Sequence, residues 1–288
     1  LIAHVAEARE DRGRVVVRLG SFTLSSPAAL AAAVHVARAF QSEIEGIFIE
    51  DPDLFEAAAH GFVREVGHFA GRSRPLSSQV VVGDSAHFAV AAQRELAEAA
   101  TLHRVRFTAR SMRERVVPAL ARACAERGPW NIVAFAEPVE TAASAEVVTE
   151  ALSSVLGATG YIVSGNRSAW RPGPILIACE DADRLPGQLR VARGLAAVER
   201  DPVWLLPVAV DEFARDWLDG EIRLALSDAA DVVILPPIDA ASLGDGLPTT
   251  IAGLSPRLVV CRSAGLVAPY DQLPRSLFAI DCPVFLTH

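Results

Sequence analysis

The chain has 288 residues, 51% of them hydrophobic and 22% charged, enough for one large or two ordinary cores and too apolar for disorder. Its 27 basic residues are all arginine, and without lysine a P-loop, Schiff-base chemistry and the kinase strand lysine are excluded in their usual forms. The net charge of −8 argues against a broad nucleic-acid surface. Cys124, Cys179, Cys261 and Cys282 are dispersed, without CxxC or metal-ligand spacing, as in a reducing compartment. No run approaches the roughly 18 apolar residues of a membrane span, and no signal-peptide pattern opens the sequence. The expectation is a cytoplasmic protein without a membrane span.

Strands and helices are predicted to alternate. The run 14–19 reads as a β-branched strand ended by Gly20, and 27–40 as a helix with Ser26 at its N-cap and Pro27 in its first turn. A second strand follows at 44–49. Residues 53–70 look helical, 71–78 look like a polar loop, and 86–102 like a helix. The third strand is placed at 103–109, where Val105 and Phe107 alternate with Arg104 and Arg106 as on an edge with one wet face. A helix at 112–127, an apolar strand at 131–136, a helix at 143–156 and a strand at 161–163 complete the first set. The segment 166–173 reads as a linker.

The pattern then restarts. Strands are predicted at 174–179, 203–208, 231–235, 258–261 and 283–286. Helices fall at 185–200, 212–226, more weakly at 240–253, and in broken form at 267–278 between Pro269 and Pro274. Repetition at this length is the strongest organising signal. It predicts an α/β chain of two tandem doubly wound five-stranded parallel sheets, with domains at 12–165 and 174–288. Residues 1–168 hold 17 arginines and 19 acids, and residues 169–288 hold 10 and 16, so the second half carries most of the negative charge.

Three segments resemble the universal stress protein family in its tandem-domain form. Val15-Val16-Val17 with Ser25-Ser26-Pro27-Ala28-Ala29-Leu30 is similar to its first strand, polar turn and Ala-rich helix. Ile44-Glu45-Gly46-Ile47-Phe48-Ile49-Glu50-Asp51 is similar to its second strand, and Cys282-Pro283-Val284-Phe285-Leu286 to its closing strand. The resemblance covers most of the chain as a pattern. It implies a Rossmann-like sheet in the order 3-2-1-4-5. In ATP-binding members a Gly-x2-Gly-x9-Gly-Ser/Thr run after strand four holds the phosphates. Here those positions read Ala136-Glu137-Pro138-Val139-Glu140-Thr141 and Arg262-Ser263-Ala264-Gly265-Leu266-Val267, a degenerate motif in both copies. The family's aspartate at the end of strand one is replaced by Gly20-Ser21 in the first copy, with Glu180 or Asp181 at that place in the second.

Open α/β sheets bind ligands beyond the strand C-termini at the switch point between strands one and four. That rule gathers Gly20, Ser21, Glu50, Ala136 and Glu137 in the first copy, and Cys179, Glu180, Asp181, Cys261 and Arg262 in the second. Cys179 and Cys261 read as two small buried hydrophobes or, if close together, as a disulfide or soft-metal pair. Arg262 either neutralises Glu180 or meets a ligand phosphate. Arg104, Arg106, Arg110, Arg113, Arg115, Arg122 and Arg127 form a basic stretch offset locally by Glu114 and Glu126. It reads as a surface for an acidic partner or as a solvated edge protected against strand addition. No histidine pair has metal spacing, and no nucleophile elbow occurs. The resulting expectation is a non-catalytic, universal stress protein-like regulatory or protein-interaction protein with no cofactor, no metal and no nucleic acid. The alternative is a sensor binding ATP or AMP in the second crevice. By topology, the fifth strands at 161–163 and 284–286 would pair within one chain as a pseudo-dimer, or the protein would form a homodimer.

Overall fold

A computed structural model describes residues 13–20, 25–60, 62–66, 73–126, 128, 130–227 and 229–288. In chain order its strands are β1 Val15–Leu19, β2 Ile44–Glu50, β3 Arg64–Val66, β4 Ser73–Pro75, β5 Phe107–Arg113, β6 Asn131–Phe135, β7 Ala158–Val163, β8 Ile175–Cys179, β9 Val203–Ala209, β10 Val232–Ile234, β11 Ile238–Asp239, β12 Leu258–Arg262 and β13 Val284–Thr287. The α-helices are α1 Pro27–Ala39, α2 Pro52–Ala59, α3 Ser78–Leu102, α4 Val116–Ala125, α5 Ala142–Ser154, α6 Leu185–Glu199, α7 Glu212–Ala225, α8 Ala240–Leu243, α9 Leu247–Gly253 and α10 Leu273–Ile280.

One sheet runs through the molecule in the order β10-β9-β8-β12-β13-β7-β6-β1-β2-β5, with β11 paired to β9 off that path. Each half therefore has the order 3-2-1-4-5. All neighbours are parallel except at the seam, where β7 and β13 pair antiparallel with Val163 opposite Val284, Ile162 opposite Phe285 and Tyr161 opposite Leu286. The expected intrachain pairing of the two fifth strands is present.

The seam also explains a glycine. A Cβ on Gly160 would stand 2.5 Å from Phe285 Cζ, so the aromatic ring takes the space of a side chain on the neighbouring strand. The β-branched central strands are buried on both faces, as parallel strands covered by helices must be. Val15, Val17 and Leu19 enter one core, and Val16 enters the other. Each core spans both halves of the sheet, so the seam lies in the interior. The equivalent helices α1 and α6 meet across it on one face. His35 Nε2 lies 2.8 Å from the Leu195 carbonyl oxygen, and Arg38 pairs with Glu199 at 2.6 Å.

The structure corrects several predicted boundaries. The 53–70 helix stops at Ala59, and the chain then forms the antiparallel β3–β4 pair. Helix α3 begins at Ser78, not at 86, because Ser77 caps it by accepting from the Val80 N–H. Strand β5 lies at 107–113 rather than 103–109. His103 caps α3 and Arg104 takes a left-handed conformation at φ 57°, which turns the chain before the strand starts. Helix α4 accordingly spans 116–125. The weak helix at 240–253 is divided by a 3-10 turn that begins at Gly244, with φ 50°. Ser21, Arg127 and residue 12 lie outside the described residues.

Candidate functional site

At the first switch point, β1 ends in Gly20 and β6 continues into Ala136 and Glu137. Glu137 folds back across the crevice and forms an ion pair with Arg18 of β1. Its carboxylate occupies the position of a Cβ on Gly20, so residue 20 tolerates no side chain while Glu137 stays in place. The Ser26 N–H donates to the Ala136 carbonyl at 2.6 Å and ties the start of α1 to the end of β6. Gly20 and Glu137 are thus brought together as expected, and they meet each other. Glu50 lies apart from them. It accepts from the Ser85 hydroxyl at 3.1 Å and pairs with Arg113 at 3.0 Å on the outer side of β2.

At the second switch point the same device is reversed. Glu180, just after β8, reaches across to the loop that follows β12. A Cβ on Gly265 would overlap its carboxylate, and the Val267 N–H donates to Glu180 Oε1 at 3.3 Å. Burial pushes the Glu180 carboxyl above the ordinary glutamate range, opposed by the Leu266 and Val267 N–H groups and by the Arg262 charge. Arg262 is exposed at the rim. Asp181 faces elsewhere: it accepts from the Asp183 N–H at 3.0 Å and lies 3.5 Å from Arg184.

Beside Glu180 a cleft of about 510 Å³ remains, walled by Val208, Val210, Ala214, Trp217 and Leu266 with Arg262 at its mouth. The two halves therefore share an occluding carboxylate but differ in what surrounds it.

Cys179 and Cys261 sit on neighbouring strands but on opposite faces of the sheet, one in each core. No disulfide or shared soft metal is possible between them. Burial pushes the Cys179 thiol up to about 11 and the Cys261 thiol well above its ordinary range, so both behave as small apolar side chains. Among the described residues no group of three or more His, Cys, Asp or Glu side chains is placed to hold a metal ion.

Solved structures share this architecture along nearly the whole chain. A universal stress protein from Archaeoglobus fulgidus DSM 4304 superposes with a TM-score of 0.56 at 11% identity, over 94% of this chain and 95% of that one. The chain has the universal stress protein fold. A functionally unknown protein from Pseudomonas aeruginosa PAO1 gives 0.57 at 14% identity, over 98% and 94%. The cytoplasmic domain of a prokaryotic cation chloride cotransporter gives 0.52 at 9% identity, over 96% and 95%. No protein-family model and no curated protein matches the sequence. Among the described residues no helix is long and apolar enough to cross a membrane.

On this universal stress protein fold the arginine stretch proves largely self-neutralised. Arg110 pairs with Glu126 at 2.6 Å and Glu45 at 3.0 Å, Arg113 with Glu50, Arg115 with Asp53 at 3.0 Å, and Arg122 with Glu114 at 2.6 Å. The offsetting acids come from β2 and α2 as well as from the stretch itself, which local counting could not show. Arg104 and Arg106 are exposed and outside any ion pair among the described residues, but they precede the strand.

A different surface was not anticipated. Helix α7 turns Phe213, Trp217 and Leu224 outward, at 90%, 63% and 74% exposure. Their spacing of four and then seven residues is that of one helical face, visible in the sequence once the inward face is assigned to Leu218 and Ile222.

Proposed function

We propose that this chain is a non-catalytic regulatory or protein-interaction protein in which the nucleotide crevices of the fold are closed by its own carboxylates. The observation that carries the reading is the reciprocal pair of contacts, Glu137 on Gly20 and Glu180 on Gly265. A negative group that fills the space beside the strand-four loop opposes phosphate both by volume and by charge. The outward apolar face of α7 supports a protein-contacting role, because contiguous exposed apolar surface commonly marks an interaction site. Thermal unfolding with millimolar ATP or AMP tests the reading. Ligand at a hundredfold excess over Kd adds about 2.7 kcal/mol to stability. The expected result is an unchanged Tm, and a clear rise with either nucleotide would overturn it.

A second reading, an adenine-nucleotide sensor in the second half, is favoured by one observation. The cleft beside Glu180 has an aromatic wall in Trp217 and a cation in Arg262. It requires Glu180 to withdraw or to bind protonated. A nucleotide-dependent Tm rise that disappears in Arg262→Ala would establish this reading.

A further inference from the structure

Helix α7 packs on β9, one strand in from the free edge β10. Leu218 and Ile222 face inward, and Phe213, Trp217, Gly220 and Leu224 lie exposed on the outer side. At 3.6 residues per turn, these four positions fall within about 60° of one another. Their spacing of four, three and four residues is that of a seam between two packed helices. Gly220 is the informative member. A Cβ there would meet nothing within 4 Å, so the fold of the single chain does not require glycine at this place. Glycine inside a helix is nonetheless unfavourable. What it offers here is close approach of another surface to the backbone.

One flank of the seam carries Glu212, Asp216 and Arg223, all exposed. Within the helix, Arg215 lies 3.4 Å from Glu212 and 3.2 Å from Asp216, and Arg223 lies 2.7 Å from Asp219. Exposed pairs of this kind are weak and leave the charges available to a partner. The order acid, acid, base is self-complementary when a second copy of the helix runs antiparallel. With a two-fold axis between the levels of Leu218 and Asp219, each Arg223 stands level with Ala214 of the other copy, midway between Glu212 and Asp216. The same axis sets Trp217 over Gly220 and Phe213 against Leu224, each contact made twice. Parallel packing would stack Trp217 on Trp217 and leave Gly220 facing Gly220. The fifth strands are already paired within the chain, so a second copy has to dock elsewhere.

We propose that the outer face of α7 joins two copies of this chain as an antiparallel helix pair, with Trp217 of each copy seated over Gly220 of the other. The inference rests on the protein-contacting role proposed for α7 and names the partner. Two aromatic rings and one leucine per copy make a small interface, in the class below about 1,200 Å² that associates reversibly.

Sedimentation equilibrium of the full chain from about 5 µM to about 500 µM tests this, a range that brackets a weak dimer. A single monomer–dimer equilibrium is expected. Trp217→Glu puts a charge in the seam and leaves only monomer. Gly220→Leu weakens the dimer at least about tenfold while its Tm is retained or raised, because leucine is the better helix former. General apolar adhesion would instead be strengthened by the added side chain. Arg223→Glu weakens the dimer, and adding Glu212→Arg and Asp216→Arg restores it. A monomeric wild type, an unaffected Trp217→Glu, a tighter dimer in Gly220→Leu or failure of the charge exchange to rescue would each overturn the proposal. A monomeric wild type whose Tm is unmoved by ATP and AMP overturns this inference alone and leaves the closed crevices standing. A dimer whose Tm rises with nucleotide does the reverse.

Discussion

Glu137 lies over Gly20 so closely that only hydrogen fits at that backbone position, and its carboxylate is held there by Arg18. A glycine at the end of strand one, which would leave room for close approach to the backbone, instead admits a side chain of the same protein. In the second half the partners exchange sides, with the glutamate after strand one and the glycine after strand four. The crevice is closed from opposite banks by one chemical device.

Gly20→Ala is expected to displace Glu137 and break the Arg18 pair. The loss should be about 1–3 kcal/mol, the ordinary range for a steric and ion-pair defect in a part-buried site. In urea unfolding the midpoint falls while the slope stays constant. An unchanged midpoint would show that Glu137 is free to leave at no cost.

The seam offers a paired test. Gly160→Val drives a branched side chain into the Phe285 ring and should cost at least as much as Gly20→Ala. Phe285→Leu relieves part of the clash, so the double variant should be more stable than the sum of the single effects predicts. Strict additivity would mean that the two positions do not touch.

His35 sets a pH dependence. Burial pulls its pKa from 6.5 down to about 4, and its neutral ring holds the Leu195 carbonyl across the α1–α6 contact. A depressed histidine stabilises the fold above its unfolded pKa, and that stability is lost as pH falls from about 6.5 toward 4. The full span is on the order of 3 kcal/mol. Replacement of His35 by Gln should flatten the stability profile in that window. A profile as steep as the wild type's would assign the effect to other groups.

Glu180 acts with the opposite sense. Its raised folded pKa means that stability is present below about pH 4.5, where the unfolded group also holds its proton, and declines as pH rises through the folded pKa. Glu180→Gln should therefore gain on the wild type as pH increases above about 4.5, measured by urea midpoints across the range. Equal midpoints at all pH values would place the carboxyl in water.

The fold was legible because its signals are local and repeated. Runs such as Val15–Val17, the Ser26 cap with Pro27, and the restart at 174 specify strands and helices independently of distant contacts. The first edge was not. Strand β5 contains Arg110, Ser111 and Arg113, and its place is set by pairing with β2 rather than by an apolar alternation of its own. The switch-point residues were found from topology, and Glu137 was recognisable as hostile to phosphate. That it rests on Gly20 depends on a contact between residues 117 positions apart in sequence. Gln188 could have been noticed as a polar residue on the inward stripe formed by Leu185, Leu189 and Ala192, but its missing partner is a tertiary fact.

The most direct measurement of the central claim is isothermal titration of the wild-type chain with ATP and with AMP in the presence of magnesium. The closed crevices predict no saturable heat with either nucleotide at millimolar concentration. A saturating isotherm with one or two sites per chain would contradict the account, because at least one glutamate would then have to give way to phosphate.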